Sequence, residues 1–531
     1  MGFSLPGAIT RPAVRSCRTF SPLLDAEAPS GIFSVALSVA CALSANPRPL
    51  AGMPPYEDRT FLSISRFPGL SSGCPTAQAH LSMPDLASTR PSPLTIESMK
   101  RVFVQSFGCR ASQADGAAIE ASLKDNGYLT VREAASADLI VFNTCTVTHD
   151  ADVDARRIIR GVHRAQPAAD ILVTGCYAQR APGELAALDG VRWVVGNTHK
   201  TFISEIVTGP AYHGQIVVGD VSAESQFLAA PVRDIRDDRT RPNLKIQDGC
   251  SNRCSFCIIP SVRGRSRSAP LASVIEQVGD LATRYCEVVL SGINLGRWGR
   301  DLPGNLRFAD LLRAILHETP VRRLRISSVE PMDWSQDLIE LLASEPRLAK
   351  HVHLPLQSGS DAVLKRMFRK YRTRHYASRL ALAHSLMPDA AIGADVMTGF
   401  PGETDEEFSE TRDFIESQPF TYLHVFTYSE RPGTRAAEQG TPVPIPVRQE
   451  RTRILRDLSE RKNLAFRRRM IGRTISAVTL EQRGMALTEN FLKVELAAHF
   501  GASREPNQMV ELAIGSVSGT GLREQTAFPI L

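Results

Sequence analysis

Residues 245–268 read KIQDGCSNRCSFCIIPSVRGRSRS: a short strand-like run ends in a loop that carries Cys250, Cys254 and Cys257 with C-x3-C-x2-C spacing. Thiolate sulfur is a soft ligand that selects iron–sulfur clusters or zinc. At this spacing one tight loop can present three sulfurs to three irons of a 4Fe–4S cube. The fourth iron is then free to chelate the amino and carboxylate groups of S-adenosylmethionine (SAM). A zinc knuckle is the competing reading. It requires a fourth Cys or a His at short range, and no Cys follows before Cys286, which lies inside the strand-like CEVVLSG and reads as core. Arg263, Arg265 and Arg267 follow the loop and suit phosphate contact, being permanently charged forks.

Downstream of the loop come EVVLSGIN, RLRISSVE, HVHLPLQSG, AIGADVMTGF and TYLHVFTYS, with amphipathic helical stretches between most pairs. Together with KIQDG they make six parallel strands, an incomplete TIM-like (β/α)6 barrel whose carboxyl-end loops carry the chemistry. The cysteine loop, Gly292 to Asn294, Glu330, Gln357 to Gly359 and Thr398 to Gly402 all fall at that end. Thr404 to Glu407 has the pattern of a capping box, and Gly399 and Gly402 allow a tight turn with close ligand approach.

Upstream, RVFVQSFG, DLIVFNT and DILVTG are each followed directly by a cysteine, Cys109, Cys145 and Cys176. Helical stretches separate them, the first capped by Ser112 and the second opened near Asp150. Right-handed crossovers make the strands parallel, so three thiols distant in sequence emerge at one sheet rim. A single cysteine at a strand end is ordinarily a small hydrophobe. Three in matching places can hold an open-iron cubane, and His199, just past RWVVGN, is the residue that could complete a zinc site instead.

The stretches QSFGCRASQAD, VFNTCTVT, VTGCYAQ, IQDGCSNRCSFCIIPSVRGRSRS and TGFPGETDEEF together resemble the radical-SAM methylthiotransferases that modify carbon 2 of a tRNA adenosine. The likeness covers about residues 99–470, and NTCTVT with GINLGRWGRDL is closer to the threonylcarbamoyladenosine branch than to the isopentenyladenosine branch. The resemblance implies a flavodoxin-like N-terminal parallel-sheet domain at 99–226, a linker at 227–242 and a radical-SAM barrel at 243–446. A basic helical connector at 447–471 and a small TRAM-like β-barrel at 472–531 complete the α/β chain. It implies two 4Fe–4S clusters, an auxiliary one on Cys109, Cys145 and Cys176 and a radical-SAM one on Cys250, Cys254 and Cys257. It places Phe256 beside the SAM adenine and Gly292 and Asn294 near its amino-acid end, with Glu330 and Gln357 as further contacts. It further implies that an electron donor such as a flavodoxin or ferredoxin reduces the second cluster to cleave SAM, that sulfur or methylated sulfur comes from the auxiliary cluster and is renewed from a separate sulfur source, and that a second SAM supplies the methyl group. An unactivated aromatic C–H explains the need for a radical, and a partly unstacked base of the tRNA anticodon loop can reach such a pocket. Family members commonly have Asn where Ser112 stands, a departure that touches the surroundings of Cys109 and not the ligand itself. Methylthiolation of a ribosomal protein would use the same machinery. A rival of another class is a non-catalytic RNA-binding protein in which both trios are structural staples.

From Arg448 to Arg469 there are nine basic and three acidic residues with Leu455, Leu458 and Leu464 available for burial, so the helix reads as an RNA-backbone tracker, Arg467 and Arg468 included. Residues 472–531 show three short β-like pieces but only five basic against six acidic residues, so bulk charge gives RNA binding there no support. TPVPIP at 441–446 excludes a regular helix or central strand and marks a joint. The chain's 531 residues suffice for about three domains, and 43% apolar content excludes wholesale disorder. Residues 1–98 lack lysine and sustained periodicity and read as a disordered extension or a misplaced start, with Met99 the natural beginning. Gly31 to Ser44 is too short for a membrane span and follows too long a leader for a secretory signal. Ten cysteines are too few for a disulfide scaffold, and tRNA and open-iron clusters belong in a reducing cytoplasm without membrane attachment. The whole reading requires both trios to face one chamber.

Overall fold

The computed structural model describes residues 99–209, 215–223, 227, 240–497, 504–519 and 521–526. The expectations for residues 1–98, and for most of the 227–242 linker, lie outside them. The described residues from Lys100 onward fall within one compact unit.

The first six strands are β1 (Arg101–Ser106), β2 (Leu129–Thr130), β3 (Leu139–Thr144), β4 (Asp170–Gly175), β5 (Val191–Val195) and β6 (Ile216–Val217). They form one parallel sheet in the order β2-β1-β3-β4-β5-β6, with the reversal between β1 and β3 where doubly wound sheets bind ligands. β3 is buried along its whole length, as a strand covered on both faces must be. β2 and β6 are two-residue edge strands too short to register as a pattern.

The central domain contributes β7 (Asn243–Asp248), β8 (Arg267–Ser268), β9 (Glu287–Gly292), β10 (Arg323–Ile326), β11 (His351–His353), β12 (Ala391–Thr398) and β13 (Tyr422–Thr427). β7, β9 and β10 pair in parallel, as do β11, β12 and β13, and a parallel bridge from Leu324 to Leu348 links the two sets. The six anticipated strands are thus present as a partial barrel. β8 pairs antiparallel to β7 at the open edge, so Arg267 lies in a strand. The helix Ile445–Arg469 begins inside TPVPIP with proline in its first turn, where a missing N–H costs nothing, so the joint is shorter than six residues.

The last five strands, β14 (Thr474–Thr479), β15 (Met485–Thr488), β16 (Lys493–Glu495), β17 (Met509–Val517) and β18 (Leu522–Glu524), close a small barrel. It docks on the central domain through a buried carboxylate. Glu287 accepts from Arg325 Nε and Nη2 at 2.7 and 3.0 Å and from Arg241 at 3.2 Å. Arg325 in turn donates to the carbonyls of Thr488 and Glu489, and Arg323 to Ser476 Oγ. Burial opposes the Glu287 charge, but Arg325, Arg241 and Arg323 outweigh it and hold the pKa down at about 2. Its stabilising contribution is complete above the ordinary carboxylate range and is lost as pH falls from about 4.5 towards 2, about 3 kcal/mol in all. Glu287→Gln is therefore expected to cost about 3–5 kcal/mol at neutral pH by stranding the arginines and to flatten that acid limb. Urea titrations at stepped pH measure both; an unchanged acid limb would contradict the assignment.

Candidate active site

Cys109 follows β1, Cys145 follows β3 and Cys176 follows β4, three adjacent strands in the sheet. The registers Ser106 to Asn143 and Thr144 to Gly175 bring their carboxyl ends level. The rim inferred from strand order is present. Cys109, not Ser112, is the N-cap of helix Arg110–Asp125, and Thr148, a polar residue close before Asp150, caps the next helix by accepting from the Ala151 amide. Ser112 lies in the first turn, buried, its Oγ 3.9 Å from Cys109 Sγ.

The second trio sits in the loop after β7. All six sulfurs are buried and belong to one continuous cluster with Phe256, Ile293, Met367, Met397, Phe400 and Phe426, so the N-terminal sheet rim and the barrel mouth meet. Their surroundings are not purely apolar. Asn197 Nδ2 and Arg263 Nε approach Cys176 Sγ at 3.8 and 3.2 Å, while Asn294 Nδ2 lies 3.9 Å from Cys250 Sγ and Arg369 Nη1 3.4 Å from Cys254 Sγ. Burial pushes the Cys109, Cys145, Cys250, Cys254 and Cys257 thiols up, so loading metal releases protons.

Among the described residues, the group of His, Cys, Asp or Glu whose donor atoms all lie within 4.8 Å is His353, Asp395 and His424 inside the barrel. His199, the alternative fourth zinc ligand, instead shares a 2.8 Å contact through Nδ1 with Thr198 Oγ1.

Two glycines set the cysteine turns. Gly108 has φ +89°, and a Cβ there would stand 2.8 Å from Cys145 Sγ; Gly249 has φ +66°, and its Cβ would meet the Arg265 carbonyl at 1.9 Å. Gly108→Ala is expected to displace Cys145 and lower the iron retained by the first trio. Iron analysis of the Cys250/Cys254/Cys257 triple alanine variant with and without Gly108→Ala measures this, and equal iron would refute it.

The other anticipated contacts line the barrel mouth. Phe256 is buried against the second trio. The Asn294 backbone amide donates to Gln247 Oε1 at 2.5 Å, while its side-chain Oδ1 has no partner among the described residues. Gln357 is fully buried at φ +67°, and neither side-chain amide atom has a partner among the described residues. A strained, buried and unsatisfied amide at the mouth fits a polar ligand that completes it. Gly292 closes β9, where a Cβ would stand 2.9 Å from Gln247 Cβ. Glu330 is engaged by Arg369 Nη2 at 2.5 and 2.7 Å, so it reaches the cysteine loop through that arginine. The Thr404 and Glu407 capping box forms, but what crowds Gly399 is the aliphatic stem of Arg448 rather than open ligand space.

Two arginines do not serve as anticipated. Arg263 is 2% exposed and faces inward, bonded to Asp248 Oδ1 at 2.9 Å and Asp115 Oδ2 at 3.0 Å, so it is not a phosphate contact. Arg467 is buried and donates to the carbonyls of Ser518, Gly519 and Gly521, tying the long helix to the terminal barrel. Arg265 and Arg468 are exposed, and Arg267 is half-buried with Nη1 on the carbonyls of Arg263 and Arg265. Much of the helix's charge is used internally: Arg451 pairs with Glu403 and Asp405, and Arg453 with Glu450 and Asp457.

Family models match at 101–196, an uncharacterized family designated UPF0004, and at 244–415, the radical SAM superfamily. The threonylcarbamoyladenosine tRNA methylthiotransferase MtaB of Aquifex aeolicus is 36% identical over 402 residues, 74% of this chain and 96% of that protein. The chain belongs to the radical-SAM methylthiotransferase family. The Bacillus subtilis MtaB shares 40% identity over 68% of this chain and 81% of its own length. The tRNA-2-methylthio-N(6)-dimethylallyladenosine synthase of Syntrophobacter fumaroxidans shares 36% over 72% and 84%. The cofactors of this methylthiotransferase are SAM and two 4Fe–4S clusters. No helix among the described residues is long and apolar enough to cross a membrane. Sequence reasoning missed Asp115, Lys200, Lys245, Asp248 and Arg369. Lys245 and Asp248 stood in the strand KIQDG that leads into the cysteine loop, where inward-facing charge was the available signal; Asp115, Lys200 and Arg369 had none.

Proposed function

We propose that this methylthiotransferase converts N6-threonylcarbamoyladenosine at position 37 of tRNA into its 2-methylthio derivative. The observation that carries the reading is that the two cysteine trios, from separate domains, share one buried cluster at the barrel mouth. Cys250, Cys254 and Cys257 hold the cluster that binds SAM, and Cys109, Cys145 and Cys176 hold the auxiliary cluster. When bound, these groups supply a substrate-activating radical and the sulfur to be transferred. Phe256, Gly292, Asn294 and Gln357 position SAM, the unpartnered Oδ1 of Asn294 and side-chain amide of Gln357 being suited to its polar end. Glu330 acts through Arg369, which steadies Cys254. The N-terminal domain excludes water from the mouth: Arg431 of the barrel rim donates to Asp152 and Thr146, and the His149 amide to Ser429 Oγ. Arg265 and Arg468 remain the candidate RNA contacts. The reaction needs a low-potential electron donor of the flavodoxin or ferredoxin kind and a sulfur source, in a reducing cytoplasm.

Mass spectrometry of tRNA nucleosides from a deletion strain tests the reading. The methylthio form should vanish and the threonylcarbamoyl precursor accumulate. Loss of the methylthio-isopentenyl nucleoside instead would move the protein to the branch of the Syntrophobacter relative. Absence of SAM cleavage under reduction would leave a non-catalytic, metal-stapled protein.

A further inference from the structure

We propose that Arg263 is a positioning residue for the auxiliary cluster, fixing the Cys176 thiolate and setting the potential at which the cluster on Cys109, Cys145 and Cys176 accepts an electron. This rests on the ligand assignment above. Arg263 Nε lies 3.2 Å from Cys176 Sγ, while Nη1 reaches Asp248 Oδ1 at 2.9 Å and Nη2 reaches Asp115 Oδ2 at 3.0 Å and Ser112 Oγ at 3.3 Å. The planar fork is therefore held on its outer edge by two carboxylates from two domains, and Nε is left aimed at sulfur. A lysine has no such geometry.

The charge balance around the sulfur points the same way. Lys200 and Lys245 also meet Asp115, and Lys245 also meets Asp248, so three buried cations face two carboxylates beside the thiolate. Both carboxylates are already engaged, and the surplus positive charge has Cys176 as its neighbour. A hydrogen bond and a positive charge at a ligating sulfur stabilise the reduced, more negative cluster and raise its potential. The same segment touches the other centre, because the Cys250 amide donates to the carbonyl of Gly264 at 2.9 Å.

The test uses the full chain carrying C250A, C254A and C257A, reconstituted anaerobically so that only the auxiliary cluster remains. It is titrated with dithionite and redox mediators and followed by electron paramagnetic resonance. Arg263→Gln added to this background should retain about four irons, shift the midpoint to more negative potential and alter the signal. Arg263→Lys, which keeps the charge and loses the fork, should recover part of the shift but not the signal. Iron retained with an unchanged midpoint and signal in Arg263→Gln overturns the proposal. Should Arg263→Gln fail to load, an unchanged midpoint and signal in Arg263→Lys overturns it equally. Absence of iron from the parent triple variant is a different result: it removes the ligand assignment, and this inference with it.

Discussion

Alanine at Cys250, Cys254 and Cys257 is expected to abolish reductive cleavage of SAM and halve the iron content, from about eight to about four per chain. Alanine at Cys109, Cys145 and Cys176 is expected to halve the iron as well, yet leave SAM cleavage in place and abolish only methylthio transfer. The asymmetry follows from the site's construction. The barrel loop carries Phe256 and is approached by Asn294 at Cys250 and Arg369 at Cys254, whereas the first trio is supplied by the separate N-terminal sheet. No side chain near the mouth can replace a cluster iron as an electron carrier, so each loss should be total for its own step. Anaerobic reconstitution, iron and sulfide analysis, and chromatography of 5′-deoxyadenosine read these outcomes. Eight irons surviving in either triple variant would end the assignment.

The second large effect concerns stability. Asp115 is 1% exposed and is shared by Lys200 at 2.8 Å, Lys245 at 2.5 Å and Arg263 at 3.0 Å. Burial opposes its charge, but the three cations hold its carboxyl well below the usual range. Lys200 belongs to the N-terminal domain, and Lys245 and Arg263 to the barrel, so this carboxylate joins two domains. Asp115→Asn removes the charge and leaves Asp248 to balance all three cations. A buried pair broken on one side costs about 3–5 kcal/mol, and this carboxylate serves three partners, so the upper end is expected. Equilibrium urea unfolding measures it. A loss under about 1 kcal/mol, the range of an exposed ion pair, would show that the network is solvated in solution. Lys200→Met, which removes a cation and leaves the carboxylate paired, should cost much less.

The strands and the six ligand candidates were legible because parallel β/α architecture writes itself as apolar runs ending in a rim, and each of these cysteines lies close behind such a run. The β2 and β6 edges, and β15 and β18 of the small barrel, were not, since runs of two to four residues hold too little periodicity to read. Arg263 and Arg467 were misread for a shared reason. A basic residue in an Arg-rich stretch looks solvent-facing until its partners are known, and those partners are carboxylates and carbonyls 15 to 148 residues away. Gln357 was selected for its place at a strand end, but its positive φ and its unsatisfied amide are properties of the folded loop alone.

Sequence alone therefore carried the chemistry on offer: two sets of three cysteines as candidate soft ligands, one behind the strands of a parallel sheet and one in the first loop of a parallel barrel. Such information is local, carried by spacing within a loop and by apolar period. Folding settled which charges face inward, that the two sets share one buried mouth, and that an arginine reads as a sulfur partner instead of a phosphate contact. Those outcomes depend on which distant carboxylates desolvation brings within 3 Å of a cation, and no local pattern encodes that.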